Sequence, residues 1–254
     1  MVTGGSSGIG KACVLSLLRD ESLCATIVTC ARHHSGLADL RDEVRFELGD
    51  AFADSRLVTV AADVTCPEGR RALAETCEQF DAIDGAVLQS GTNLRKPSEQ
   101  YSVDEYDHLM GSNCSAHFFC AVMLKPLLLK SDSPSIVLMS SIAADSALGT
   151  GSVYAMAKAG IKQLATYLAT EWHPTRVNAV SPGFVVTSLT QHRLRDEAFH
   201  SNITSRTPLG RVGHPSEIAE PILFLLSNKA SFITGQALTI DGGLTCSSFW
   251  TEPQ

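Results

Sequence analysis

Val2-Thr3-Gly4-Gly5-Ser6-Ser7-Gly8-Ile9-Gly10-Lys11 opens the chain, and the apolar helical pattern of Lys11–Arg19 follows at once. Gly4, Gly8 and Gly10 allow a tight turn and a close approach of backbone to ligand. The helix start behind them offers free N–H groups and the positive end of the helix dipole. Such a junction suits a pyrophosphate, cradled by Gly4, Ser6, Ser7, Gly8, Ile9 and Gly10. A competing reading starts a nucleotide-triphosphate loop at Gly5 and ends it at Gly10-Lys11. That loop needs a hydroxyl next, to hold magnesium, and this chain has Ala12.

The dinucleotide reading makes a further demand. A residue about 20 positions on, at the end of the second strand, meets the adenosine ribose. That stretch reads Thr29-Cys30-Ala31-Arg32-His33-His34. It holds no acid to bind a ribose hydroxyl or repel a 2′-phosphate, and Arg32 is placed to attract one. The charge therefore favours NADP(H) over NAD(H).

Outward from this junction, short apolar runs alternate with helical patterns. Thr26–Cys30, Leu57–Ala61, Gly85–Leu88, Ser135–Met139, Arg176–Val180 and Ala237–Ile240 read as strands. Lys11–Arg19, Ser102–Leu129, Val153–Trp172 and Ser216–Ser227 read as helices, with Ser102 and Glu105 as a capping box. The alternation predicts an α/β fold: one doubly wound parallel sheet of about seven strands, helices on both faces, in a single domain over residues 1–254. The first strand is a stub, Val2-Thr3. Either the start lies upstream or the fold tolerates so short a strand at its centre.

Composition narrows the function. The 254 residues carry a net charge of −7 and no basic block, which argues against a nucleic-acid partner. Apolar runs such as Ala121–Leu124 and Pro221–Leu226 are too short to span a bilayer, and no signal-like segment opens the chain. Eight cysteines (13, 24, 30, 66, 77, 114, 120 and 246) form no CxxC pair. They read as reduced thiols of a cytoplasmic protein. Eight scattered histidines without HExxH offer no metal site.

The chemistry is carried by three side chains. Tyr154 and Lys158 share one helix face a turn apart. An ammonium there lowers a phenol's pKa and lets it exchange protons near neutrality. Ser141 follows strand Ser135–Met139, at the carboxyl edge of a parallel sheet where ligands bind. The ordered set of the glycine loop, Asp63, Asn113, Ser141, Tyr154-x-x-x-Lys158, Pro182-Gly183, Thr187 and Ile240-Asp-Gly-Gly243 resembles the short-chain dehydrogenase/reductase family, over about Val2 to Leu244. Leu168-Ala-Thr-Glu-Trp172, Thr187-Ser-Leu189 and the tail after Gly243 are most similar to its tropinone-reductase-like branch.

The resemblance implies a Rossmann-type domain and an oxidoreductase of carbonyls and secondary alcohols. Tyr154 would be the general acid or base, and Ser141 would hydrogen-bond the substrate oxygen. Lys158 would lower the Tyr154 pKa and hold the nicotinamide ribose, and Asn113 would anchor a relay water. Thr187 would bind the nicotinamide carboxamide with the Val185 backbone beside it, Asp63 and Val64 would meet the adenine, Pro182 and Gly183 would also bind the cofactor, and Gly91 would let the protein backbone approach it closely. The variable segments Ile142–Val153 and Ser188–Pro208, the latter a lid, would choose the substrate through Leu148, Phe184, Leu189 and Phe199. A small or cyclic ketone is implied, with a 3-oxoacyl thioester as the alternative. The Tyr154 helix and Trp172 resemble family surfaces that pair subunits into a homodimer or homotetramer.

Two further departures stand out. Leu88-Gln89-Ser90-Gly91 replaces the family's Asn-Asn-Ala-Gly, which puts local hydrogen bonding in doubt. Glu171–Arg176 is about two residues short. A reading from another class, a catalytically silent NADP(H)-binding sensor, draws its support from the first of these.

Overall fold

The structure is a computed structural model that describes residues 1–20, 23 and 25–246; Cys24 and the tail beyond residue 246 lie outside it. Seven parallel strands form one sheet: β1 (Val2–Thr3), β2 (Ile27–Ala31), β3 (Leu57–Ala61), β4 (Gly85–Leu88), β5 (Ser135–Met139), β6 (Arg176–Pro182) and β7 (Ala237–Ile240). Their order is β3-β2-β1-β4-β5-β6-β7. The winding direction reverses between β1 and β4, and that switch point is where an open α/β sheet forms a crevice.

Both faces of the central strands are buried, because side chains alternate along each strand and helices cover both sides, while the edge strand Ala237–Ile240 keeps Leu238 and Thr239 exposed. Val2, Val87, Val137 and Val180 pack on one side, against α1 (Gly8–Arg19), α2 (His34–Leu48) and α10 (Pro215–Leu226). Ala86, Leu88, Ile136 and Leu138 pack on the other, against α4 (Pro67–Cys77), α6 (Ala116–Leu128) and α7 (Ser152–Glu171). Among the remaining helices, α3 (Asp50–Arg56) leads into β3, and α5 (Val103–Met110) precedes α6. The short α8 (Gln191–Leu194) and α9 (Glu197–Arg206) lie between β6 and α10.

The stub is a real strand. Val2 and Thr3 are fully buried, and β1 pairs with β2 and β4 at once. Side chains supplement so short a ladder: the Thr29 hydroxyl donates to Val2 O at 2.9 Å, and the Gln89 and Ser90 amides donate to the Thr3 hydroxyl.

Two sequence expectations change. Ser102–Leu129 is not one regular helix. The Ser102–Glu105 capping box starts α5 as expected, but a π-helical turn at Gly111–Ser115 separates it from α6. Trp172 is not a surface residue; it is 5% exposed, with the Lys125 ammonium 4.9 Å from its ring centre. The expected cysteine burial holds for Cys13, Cys30, Cys77 and Cys120, and the seven described cysteines are free. Among the described residues no helix is long and apolar enough to cross a membrane, and no cluster of three potential metal ligands occurs.

The buried Arg176 closes the end of α10. Its guanidinium donates to Leu225 O and Ala230 O (2.6 and 3.1 Å) and to Leu226 O and Ser227 O (2.9 and 3.1 Å). It satisfies carbonyls that a helix end leaves unpaired. Replacing Arg176 with Met should lower the unfolding free energy by about 1–3 kcal/mol. Urea denaturation measures it; an unchanged midpoint would mean those carbonyls rehydrate freely.

Candidate active site

The carboxyl ends of the strands open onto a cavity of about 490 Å³ that crosses the switch point. The expected residues distribute along it in order. Gly4, Ser6, Ser7, Gly8 and Ile9 form the wall at the α1 N-terminus. Gly4 takes a φ of +67°, open to glycine at little cost, and the Ser7 side chain does not cap the helix. Lys11 points elsewhere, to Glu43 at 2.8 Å, so this loop lacks a lysine over a phosphate as well as a magnesium hydroxyl. Gly10 is off the wall. A Cβ there would meet Gly4 O at 2.4 Å and Gln89 Nε2 at 2.1 Å, so this glycine serves the packing of α1 on the loop.

Arg32, Asp63 and Val64 line the end near β2 and β3. Partial burial pushes the Asp63 carboxyl up. Hydrogen bonds from the Thr65 hydroxyl and amide, with the charges of Arg32 and His108, outweigh it and hold the pKa below the ordinary value. Pro182, Gly183, Val185 and Thr187 line the cavity after β6, with Leu148, Phe184 and Leu189 near them. Thr190 fixes this turn: its hydroxyl donates to Val185 O and accepts the Thr187 amide at 3.0 Å. Phe199 is not on the wall but braces Phe184 edge-on, ring centres 5.6 Å apart.

Ser141, Tyr154 and Lys158 converge on this cavity. Two hydrogen bonds staple α7 to the end of β5. Lys158 Nζ donates to Met139 O at 2.9 Å, and Ser140 Oγ donates to Lys158 O at 2.8 Å. Ser141 begins the next short turn, its hydroxyl accepting from Ala143 N, and it stands near enough to Tyr154 to act on the phenol's pKa.

The electrostatics differ from the expectation that Lys158 lowers the Tyr154 pKa. Burial raises the phenol above its ordinary value, against the Ser141 hydroxyl and the Arg95 charge, which pull it down. Lys158, 5.7 Å from the ring centre, is itself pushed down to about 7 by burial. The Lys158 charge, turned toward Met139 O, bears on Cys114 and His117, whereas at Tyr154 it is the Arg95 guanidinium that pulls the pKa down.

Asn113 sits in the π turn, fully buried. Its Nδ2 donates to Thr92 O at 2.8 Å and to Leu109 O at 2.9 Å, and its Oδ1 accepts Thr92 N at 3.3 Å. Gly91 lets this happen, since a Cβ there would lie 2.6 Å from Asn113 Oδ1. The doubt raised by Leu88-Gln89-Ser90 is answered locally: Gln89 Nε2 donates to Gly4 O at 2.8 Å, tying the β4 loop to the glycine loop.

Comparison with known proteins agrees. A family model described as Enoyl-(Acyl carrier protein) reductase matches residues 4–245. Two tropinone reductase homologs of Arabidopsis thaliana are 37% and 36% identical, over 100% and 98% of this chain and 95% and 92% of theirs. A Brucella melitensis structure, a short-chain dehydrogenase/reductase of the glucose/ribitol dehydrogenase kind, superposes with a TM-score of 0.86 at 29% identity, over 96% of this chain and 94% of its own. A Beutenbergia cavernae chain solved with NADP at low occupancy gives 0.87 at 30%, over 97% and 96%. The chain belongs to the short-chain dehydrogenase/reductase family.

Sequence reasoning missed one wall residue of this short-chain dehydrogenase/reductase that bears on its chemistry. Arg95 lines the cavity, close enough to Tyr154 for each charge to act on the other. The signal was its place in the loop after β4, at the carboxyl edge where ligands bind.

Lys158 links the site to stability. It is half-charged near pH 7 when folded and at 10.5 in its ordinary state. Below pH 7 the fold carries the full cost of a buried cation; between 7 and 10.5 that cost fades as pH rises. In the ligand-free protein, Lys158→Met should therefore melt above wild type by a margin largest near pH 6 and shrinking toward pH 10. Calorimetry across that range checks it; a constant margin would place the ammonium in solvent.

Proposed function

We propose that this enzyme transfers a hydride between NADP(H) and a carbonyl or secondary alcohol, its substrate a small or cyclic ketone. The carrying observation is the convergence of Tyr154, Ser141 and Lys158 on one cavity wall, with Ser141 near enough to pull the Tyr154 pKa down. The residues suit a dinucleotide. Gly4 to Ile9 offer backbone amides to a pyrophosphate, and Arg32 offers its guanidinium to a 2′-phosphate. Asp63 and Val64 would border the adenine, and Val185 and Thr187 the nicotinamide. When bound, the nicotinamide supplies or accepts the hydride.

The protein's part is proton and charge management. In reduction Tyr154 gives its proton to the carbonyl oxygen while Ser141 donates to the same oxygen and stabilises its growing charge. Burial keeps the phenol protonated until then. Lys158, fixed on Met139 O, would hold the ribose. Asn113 spends its side chain on Thr92 and Leu109, so we assign it to positioning the β4 loop instead of holding a relay water with its amide. Residues 188–208 would close as a lid over a single domain. Exposed Met156 and Tyr167 on α7, with Phe118 and Phe119 on α6, would support a homodimer or homotetramer in the cytoplasm.

A 3-oxoacyl thioester is the second reading; the family model's description shares with it the acyl thioester but names an enoyl group in place of the 3-oxo group. A silent sensor is disfavoured by the intact Ser141–Tyr154–Lys158 set and by the Gln89–Gly4 bond that replaces the lost amides. Tyr154→Phe should lower kcat/KM for a ketone by about 10²- to 10⁴-fold while NADPH still binds. Arg32→Glu should turn the coenzyme preference toward NADH. Stopped-flow absorbance and NADPH fluorescence test both; NADPH binding without turnover of any ketone or oxoacyl thioester would leave the sensor standing.

A further inference from the structure

Arg95 lines the cavity and, among the described residues, makes no ion pair or side-chain hydrogen bond. Its neighbour Lys96 is ion-paired with Glu105. No carboxylate among the described residues lies within ion-pair distance of Arg95 or of Arg193 on α8, and no hydrogen bond engages either side chain. Arg193 lies flat over the Phe199 ring, 4.1 Å from its centre, and Phe199 braces the wall residue Phe184. The two guanidiniums are near enough to repel, and burial disfavours the Arg95 charge as well. Partial desolvation of an unpaired cation has a cost that a bound anion offsets.

The opposite charge is missing from this end. Asp63 is the one carboxylate among the described wall residues, and it is held by Thr65 at the far end, beside Arg32. The phosphate cradle proposed above is likewise built on Ser6–Ile9, whereas Arg95 acts on Tyr154. A planar guanidinium fork matches a carboxylate in two parallel hydrogen bonds.

We infer that Arg95 reads an anionic group on the substrate, so that the ketone taken by this cleft carries a carboxylate. The inference rests on the reductase reading for the position of the carbonyl at Tyr154. It makes this active site selective for oxo acids over neutral ketones, and hostile to ketones bearing an ammonium group. Arg95 is thus a specificity-determining residue.

Three probes share the cyclohexanone ring and carry an anionic, a neutral and a cationic 4-substituent: 4-oxocyclohexanecarboxylate, its methyl ester and 4-aminocyclohexanone. With NADPH, wild-type kcat/KM should fall in that order, the carboxylate exceeding the ester by about 10- to 100-fold. Arg95→Gln should bring the carboxylate-to-ester ratio close to one, and Arg95→Lys should restore part of it. An ester as good as the carboxylate, or a ratio untouched by Arg95→Gln, overturns the inference. So does a matching loss of NADPH affinity in Arg95→Gln, which assigns the guanidinium to the coenzyme. A thermal-shift titration of the NADP⁺ complex with 4-hydroxycyclohexanecarboxylate separates the two readings. Stabilisation of wild type but not of Arg95→Gln, without turnover of any probe, keeps the anion site and removes the reductase. Turnover without charge discrimination does the reverse.

Discussion

The staple between β5 and α7 governs this site. Strand β5 lies mid-sheet and ends at the crevice, and Met139 O and the Ser140 hydroxyl grip Lys158 from both its ends. With that turn of helix fixed, Tyr154, one turn earlier, has little choice of position, and Ser141 follows the strand immediately. The three groups are therefore set by a parallel strand end and a helix start, the two most rigid features nearby. A functional constellation needs such support, since small displacements of a reacting group are costly. Desolvation is the other side of that rigidity. The burial that fixes Lys158 also weakens its charge, and the same burial keeps Tyr154 protonated.

Much of this was legible in the chain. Strand–helix alternation, the glycine junction and the spacing from Ser141 to Lys158 are local patterns, and local patterns survive folding. The strands lie within one or two residues of their expected bounds, β6 running on to Pro182. The π turn was hidden because amphipathic periodicity across Ser102–Leu129 reads as one helix. Gly111, Ser112 and Asn113, weak helix formers in its middle, were the available hint. Trp172 was misplaced because a helix-end aromatic looks the same whether it faces the core or a partner. The pKa order of Tyr154 and Lys158 was out of reach, since burial depends on the whole fold and spacing says nothing about desolvation.

Gln89 shows how a motif departure can conserve its physics. The crevice needs the β4 loop tied to the glycine loop, and a long amide from Gln89 reaches Gly4 O. The missing side chain at Gly91 and the bonds between Asn113 and Thr92 then carry that order to α5 and α6. Residue identity in the motif changed while the connected bonds remained, and a pattern match scores only the former.

Charge works on two scales here. The chain as a whole carries −7, which discourages polyanions at long range. Inside the crevice the balance reverses: Arg32 stands at one end and Arg95 at the other, against the single wall carboxylate Asp63, which Thr65 holds. Solvent screens the surface field within about 10 Å at ordinary salt, whereas low-dielectric walls preserve the local one. A small anion that enters thus gains from the cavity more than it loses to the surface, and a nucleic acid, too large to enter, meets only the repulsion. Selection by size as well as by sign is what the proposed dinucleotide coenzyme and acidic ketone would both require.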